Sequence, residues 1–226
     1  MDRHKDQEEY VVNFDEVARS WDKEERRHMR AKAVAEIMRA GLSTAAGGRA
    51  LDFGCGTGLL SFELREDFSQ IVLLDASAGM IDVLRRKIER DDEARRGKGS
   101  VSGAAMLPVC GTLGDGAPLL SRFDLAYSML VLHHLSDTAA ALLGLASVLR
   151  HGGALRIVDL DKEDGSYHED EAGFDGYDGF DREDLAALTV GAGFAKVRFE
   201  TAWVERRVEG GSTREYPMFL MSAEKA

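Results

Sequence analysis

Residues Leu51 to Ser61 read LDFGCGTGLLS. An apolar run ends in an acid, three glycines follow at alternate positions, and apolar residues then resume. Glycine tolerates positive φ and leaves the main chain bare. The first turn of a helix offers unpaired N–H groups to a carboxylate or phosphate. A strand, a glycine bend and a helix start in that order predict a ligand lying against the backbone of residues 54–58. The same order predicts the first crossover of an open α/β sheet, whose ligands bind beyond the carboxyl ends of the strands.

The neighbouring chain supports that architecture. Thr57–Glu66 reads as a helix and Gln70–Asp75 (QIVLLD) as a buried strand. Ser77 can N-cap a helix carrying Met80, Ile81, Leu84 and Ile88 on one side. Arg90–Ser102 is polar with glycines and reads as a loop. Met106–Cys110 is a weak strand and Phe123–Met129 a stronger one. Thr138–Leu149 is a helix stopped by Gly152-Gly153, and Ala154–Leu160 is again a strand. Such alternation means a mostly parallel sheet with helices on both faces. After a helix at Arg182–Ala192, closed by Gly193, two strand-like runs (Ala195–Arg207 and Glu215–Ala223) flank Glu209-Gly210-Gly211-Ser212. That is a hairpin signal, so the sheet, of about seven strands by the count of these runs, ends with an antiparallel strand. Upstream, residues 1 to 22 are polar with scattered aromatics (Tyr10, Phe14, Trp21). Glu24–Ala40 is helical, with Gly41 placed as a left-handed C-cap. Residues 1–41 are thus expected to form a helical lid or cap, and residues 42–226 the ligand-binding domain.

Composition narrows the partners. The 226 residues are 44% hydrophobic and 31% charged, enough for one good-sized domain. A net charge of −11 argues against a long nucleic-acid surface. Lys23, Arg26, Arg27, Arg30 and Lys32 crowd one segment, which reads as a solvated helix face. The two cysteines, Cys55 and Cys110, make no disulfide framework and show no metal-ligand spacing. The polar N-terminus resembles no signal peptide, and no apolar run is long enough for a membrane helix. A cytoplasmic protein acting on a small molecule is expected, without metal, membrane or nucleic acid, as a monomer or a homodimer.

Two ligand classes compete for the glycine bend. A dinucleotide fingerprint is G-x-G-x-x-G followed by an acid. Here the spacing is G-x-G-x-G and Leu59 stands in the third glycine's place. Asp52, two residues before the first glycine, would repel a pyrophosphate but welcome an ammonium. S-adenosylmethionine carries an ammonium, a carboxylate, a ribose and an adenine. Asp75 ends the second strand, where its two oxygens can accept both ribose hydroxyls. Met80, one turn on, is placed to cover an adenine face.

The blocks LDFGCGTG (51–58), LLDASAGMID (73–82), FDLAYSMLVLHHLSD (123–137), LRHGGALRIVDLD (149–161) and GF (193–194), in this order, resemble the class I S-adenosylmethionine-dependent methyltransferases. The resemblance runs from about Val12 to the C-terminus. It implies a Rossmann-like, doubly wound seven-stranded sheet ending in an antiparallel hairpin. It also implies roles by position. Asp52 and the backbone of Gly54, Cys55, Gly56 and Gly58 hold the methionine part, and Asp75 holds the ribose. Ala76 and Met80 line the adenine, Thr112 and Leu113 flank its other side, and Ser128 and Met129 border the methyl donor. Asp115 is a further candidate in a segment, Val101–Leu120, where the match is poorest.

Methyl transfer is an in-line displacement that needs alignment above all, and a general base only where the acceptor loses a proton. His133 and His134 are the catalytic candidates, with Tyr167 and His168 in the acidic, glycine-rich stretch Asp159–Asp184. Tyr10, Trp21 and the 167–180 loop are expected to close over the cofactor. The acidic rim suggests a neutral or cationic acceptor. A sensor or scaffold that binds S-adenosylmethionine or S-adenosylhomocysteine without turnover, and a nicotinamide dehydrogenase, remain alternatives at this point.

Overall fold

The computed structural model describes residues 13–41, 48–99, 103–114, 122–169, 174–209 and 211–226. Tyr10 and Asp115 lie outside them. Two helices, α1 (Phe14–Trp21) and α2 (Glu25–Ala40), precede the sheet. Then β1 (Arg49–Phe53), α3 (Leu59–Glu63), β2 (Gln70–Asp75), α4 (Ala78–Gly97), β3 (Ala105–Cys110) and β4 (Phe123–Met129) alternate. They are followed by α5 (Thr138–Val148), β5 (Leu149–Leu160), α6 (Arg182–Gly191), β6 (Phe194–Glu209) and β7 (Ser212–Lys225). The seven strands run in the order β3-β2-β1-β4-β5-β7-β6. β7 is antiparallel to both of its neighbours, and the other pairings are parallel. The strand order reverses between β1 and β4, and at such a switch point the loops beyond the carboxyl ends part to leave a crevice.

Two apolar layers cover the sheet because successive strand residues point to opposite faces. Ala50, Ile71 and Leu73 join Val34 of α2, Leu60 of α3 and Ile81 and Leu84 of α4 on one face. Leu51, Val72 and Leu74 join Leu142 and Leu145 of α5 and Leu185 of α6 on the other. Strands buried on both sides read as unbroken apolar runs, which is why QIVLLD was so legible. Among the described residues no helix is long and apolar enough to cross a membrane.

Local detail departs from the sequence reading at four places. Phe14, Val17, Ala18 and Trp21 stand at i, i+3, i+4 and i+7, a helical stripe, and they fold as α1, a regular helix where the sequence reading has only scattered aromatics within the expected helical cap. Arg90–Gly97 is helix, not loop. Its polarity is offset by ion pairs: Arg65 reaches Asp91 and Asp92, while Arg95 reaches Asp91 at 2.7 Å and Glu66 at 2.5 Å. Gly152 and Gly153 do not stop α5; β5 already begins at Leu149, and Gly152, with φ +69°, lies within it. Gly41 has φ −97° and so is not a left-handed cap.

Candidate functional site

A cavity of about 1050 Å³ opens at the β1/β4 switch point. That is at the upper end for small-molecule sites, roughly 300–1,000 Å³, and leaves room for two ligands side by side. Asp52, Gly54, Cys55, Gly56, Asp75, Ala76, Met80, Thr112, Leu113, Met129, His133, His134, Trp21, Tyr167 and His168 all border it. Gly58 and Ser128, also expected at the ligand, are not part of its wall. Ser128 is buried within β4.

The three glycines of the bend divide the work. All have positive φ (+69°, +53° and +80°). A Cβ on Gly54 would come within 2.3 Å of the Val131 side chain, and one on Gly58 within 2.7 Å of Leu84 Cδ1. Those two let the bend pack against the protein itself. Only at Gly56 would a Cβ point into open space. The bare backbone that a ligand can touch is therefore centred on residue 56.

Asp75 stands beside it. Its Oδ2 accepts from the Gly56 N–H at 2.7 Å and its Oδ1 from the Ser77 N–H at 2.8 Å. Each oxygen keeps a further acceptor site, which suits a pair of sugar hydroxyls. Burial raises the Asp75 pKa, against these two hydrogen bonds. Asp52, beneath the bend, is 3% exposed and accepts from Ser61 Oγ at 2.6 Å. Ser61 also meets Tyr127 Oη at 2.5 Å. Burial pushes the Asp52 pKa up to about 7, partly offset by the Ser61 bond and reinforced by the charge of Asp75. A carboxylate held so uneasily fits a cation arriving beside it. Burial also raises the Cys55 thiol, which therefore stays protonated and offers only its backbone. Met80 is both wall and core at 2% exposure.

The far side of the switch point carries the histidines. β4 is followed by Leu130, a non-glycine residue at φ +58° whose N–H bonds to Val158 O at 2.8 Å. This strained turn hands the chain to a short 3-10 turn, Leu132–His134. There His133 Nδ1 meets Asp159 Oδ1 at 2.5 Å, both side chains fully buried. The Leu132 and Leu160 N–H groups also bond the Asp159 carboxylate, at 2.9 and 2.8 Å. A carboxylate only accepts, so Nδ1 donates, which leaves Nε2 as the ring nitrogen that can exchange a proton with a ligand. Asp159 was not singled out from the sequence. The signal was the strand-end acid in VDLD, visible only once β5 is known to lie beside β4.

Around the histidines sits an aromatic belt. His134 is 5.3 Å from Phe14, and Phe14 is 6.0 Å from Trp21. His168 stacks on Phe174 at 3.8 Å and lies 5.1 Å from His133. Beyond the belt come Arg26, Arg27 and Arg30 of α2 with Glu205 and Arg207 of β6. The basic cluster near the N-terminus divides: Lys23, Arg26 and Lys32 are exposed, as expected of a solvated face, while Arg30 is 6% exposed and bonds Glu205 Oε2 at 2.9 Å. Arg26 and Arg30 stand one helical turn apart, a spacing that puts them on one face.

The N-terminal helices are latched over the bend. Asp15 Oδ1 accepts from the Gly79 N–H at 2.7 Å and from Ser77 Oγ at 2.5 Å, at the start of α4. Asp22 takes Thr57 Oγ1 at 2.5 Å and pairs with Lys87 at 2.6 Å, while Lys87 also donates to Thr57 O at 2.8 Å.

Strand order, glycine bend and the two acids together define a class I S-adenosylmethionine-dependent methyltransferase. The chain belongs to the methyltransferase-domain family, whose profile matches residues 26–198. It is 31% identical over 119 residues to an uncharacterised methyltransferase of Schizosaccharomyces pombe, covering 52% of this chain and 40% of that one. It is 32% identical over 121 residues to a ubiquinone biosynthesis O-methyltransferase of a Bradyrhizobium species, covering 54% and 43%. The chain spans less than half the length of these curated relatives. Among solved structures, a Thermotoga maritima S-adenosylmethionine-dependent methyltransferase, described as a possible histamine N-methyltransferase, superposes with a TM-score of 0.66 at 18% identity. That match covers 96% of this chain and all of the other, and bears on the fold alone.

Proposed function

We propose that the chain transfers the methyl group of S-adenosylmethionine to a hydroxyl of a small-molecule acceptor in the cytoplasm. The observation that carries this reading is one cavity joining the Asp52–Gly56–Asp75 wall to the His133–Asp159 pair. An O-methyltransferase among the relatives supports the choice of hydroxyl.

The residues fit the cofactor. Asp52 is a buried acid poised for an ammonium, Gly56 opens bare backbone, and Asp75 keeps acceptor sites for a ribose. Ala76 and Met80 would meet one adenine face, with Thr112 and Leu113 on the other. When bound, S-adenosylmethionine supplies a methyl group made electrophilic by its sulfonium. His133 takes the acceptor's hydroxyl proton at Nε2, and Asp159 holds the ring through Nδ1 and stabilises the imidazolium. The aromatic belt and α1 exclude water, and residues 1–41 act as the cap, held by the Asp15 and Asp22 latches.

The test is calorimetry with S-adenosylmethionine, followed by chromatography for S-adenosylhomocysteine after incubation with phenolic acceptors. No binding heat at millimolar cofactor removes the reading. Binding without turnover of any hydroxyl acceptor favours a sensor instead.

A further inference from the structure

The acceptor side of the cavity carries a charge that the methyl-transfer reading leaves unused. Among the described residues, Arg26, Arg27, Arg30 and Arg207 border this end. Glu205, 3% exposed, is shared between Arg30 at 2.9 Å and Arg26 at 3.1 Å. Glu24 pairs with Arg26 at 2.6 Å and with Arg27 at 2.8 Å. Among the described residues, Arg26, Arg27 and Arg30 share two carboxylates, Glu24 and Glu205, and Arg207 stands beside them. Two buried donors are also unspent. The Nε of Arg30 and the Nε of Arg207 are enclosed and have no hydrogen-bond partner among the described residues. Arg207 uses one Nη on Tyr167 O at 2.6 Å, and its guanidinium lies 4.1 Å from the Tyr167 ring centre. Attaching α2 to β6 would take only the Arg30–Glu205 pair. Enclosing further cations with idle donors is unfavourable unless an anion joins them.

The same end connects to the proposed chemistry by two lines of rings. From His133 the line passes to His168 at 5.1 Å, to Tyr167 at 4.9 Å and so to Arg207. From His134 it passes to Phe14 at 5.3 Å, to Trp21 at 6.0 Å and so to Arg27, whose guanidinium sits 3.7 Å over the indole. Flat apolar walls lead from the base to the guanidiniums.

We propose that the acceptor is a small organic anion, a carboxylate or phosphate on a flat apolar body, whose charged group is received by Arg30 and Arg207 while its hydroxyl faces His133. This rests on the methyltransferase reading. It reverses the expectation of a neutral or cationic acceptor drawn from the acidic 159–184 stretch. Arginine suits the task because its planar fork matches the oxygens of either anion.

The test uses the full chain with S-adenosylhomocysteine and measures, by calorimetry, 4-hydroxybenzoate, 4-hydroxyphenyl phosphate and the uncharged 4-hydroxybenzamide. At least one anion should bind about tenfold more tightly than the amide, as expected for charge-assisted hydrogen bonds. The tighter of the two identifies the group. In Arg207→Gln the preference should fall to about twofold or less, with S-adenosylhomocysteine affinity unchanged. Arg30→Gln should act in the same direction, and Arg207→Gln, at a half-buried position, decides the matter if Arg30→Gln does not fold. Equal binding of anion and amide, failure of both anions to bind, or an undiminished preference in Arg207→Gln overturns the proposal. If S-adenosylhomocysteine itself does not bind, the methyltransferase reading fails. An anion-over-amide preference in the ligand-free protein would then still support the arginine site.

Discussion

The two ends of the cavity are built on opposite plans. The proposed cofactor end is acidic and local: Asp52, the glycine bend and Asp75 fall within 25 consecutive positions (51–75) on two adjacent strands. The proposed acceptor end carries the arginines and is assembled from afar, with Arg30 and Glu205 separated by 175 positions. A ligand that brings an ammonium and a sulfonium and an acceptor with a negative group would be drawn to opposite ends by charge. The His133–Asp159 pair stands at the boundary. The difference teaches that the invariant part of a reaction can be housed in a short motif, while the variable part is drawn from whatever elements the fold brings near.

The sharpest way to break this division is to remove the boundary group. His133→Asn should lower kcat by about 1,000-fold, within the range of general-base contributions. It should leave cofactor affinity unchanged, as measured by calorimetry beside steady-state kinetics. A loss confined to KM would show that His133 only shapes the wall. Next in size, Asp75→Ala should weaken S-adenosylhomocysteine by about 100-fold, the worth of two hydrogen bonds to a charged acceptor. Its effect on acceptor binding should be slight, and comparable losses at both ends would dissolve the distinction.

A third test concerns pH. Burial raises the pKa of the folded Asp52 to about 7 from its ordinary value of 3.8. Its contribution to the stability of the ligand-free protein is therefore full below the unfolded value and is lost as pH rises through 7. Between those values the unfolded chain has released a proton that the folded one keeps. A cationic ligand demands the ionised form, so its binding runs the other way. Cofactor affinity should rise by up to about tenfold per unit from pH 5 towards 7 and then level off, with proton release on binding. Asp52→Asn should flatten that profile. Asp124, paired with Arg150 at 2.5 Å and held below the usual carboxylate range, should leave it untouched when neutralised.

The smallest effect belongs to the latches. Asp22→Asn removes the charge that meets Lys87 and Thr57, and should raise the cofactor KM by a few-fold, about 1 kcal/mol, the scale of a part-exposed pair. Added salt should reproduce part of this in the wild type and little of it in the variant. An unchanged KM would indicate that the Asp15 latch and the packing of Phe14 and Trp21 hold the N-terminal helices without Asp22.

How much of this was legible can be judged residue by residue. β2 announced itself because burial on both faces forces an unbroken apolar run. The bend announced itself because three left-handed positions in five residues admit only glycine. α1 was missed although its stripe was present, since eight residues give little periodicity to read. The end of α4 was missed because a polar stretch looks like a loop until the partners that neutralise it are known. Arg30 was misread for the same reason in reverse. A run of basic residues on a helix looks solvated unless something across the fold buries it.

Sequence alone determined the strand–bend–helix unit, the alternation that makes the sheet, and the two acids of the cofactor wall. These depend on steric and polar rules that act between near neighbours in the chain. Only the tertiary structure decided that Gly54 and Gly58 serve packing, that Asp159 orients His133, and that Arg30 and Arg207 converge on one end of the cavity. Those arrangements arise where β5 lies against β4 and where α2 folds over β6. Burial and charge pairing across such distances leave no periodic trace in the chain itself.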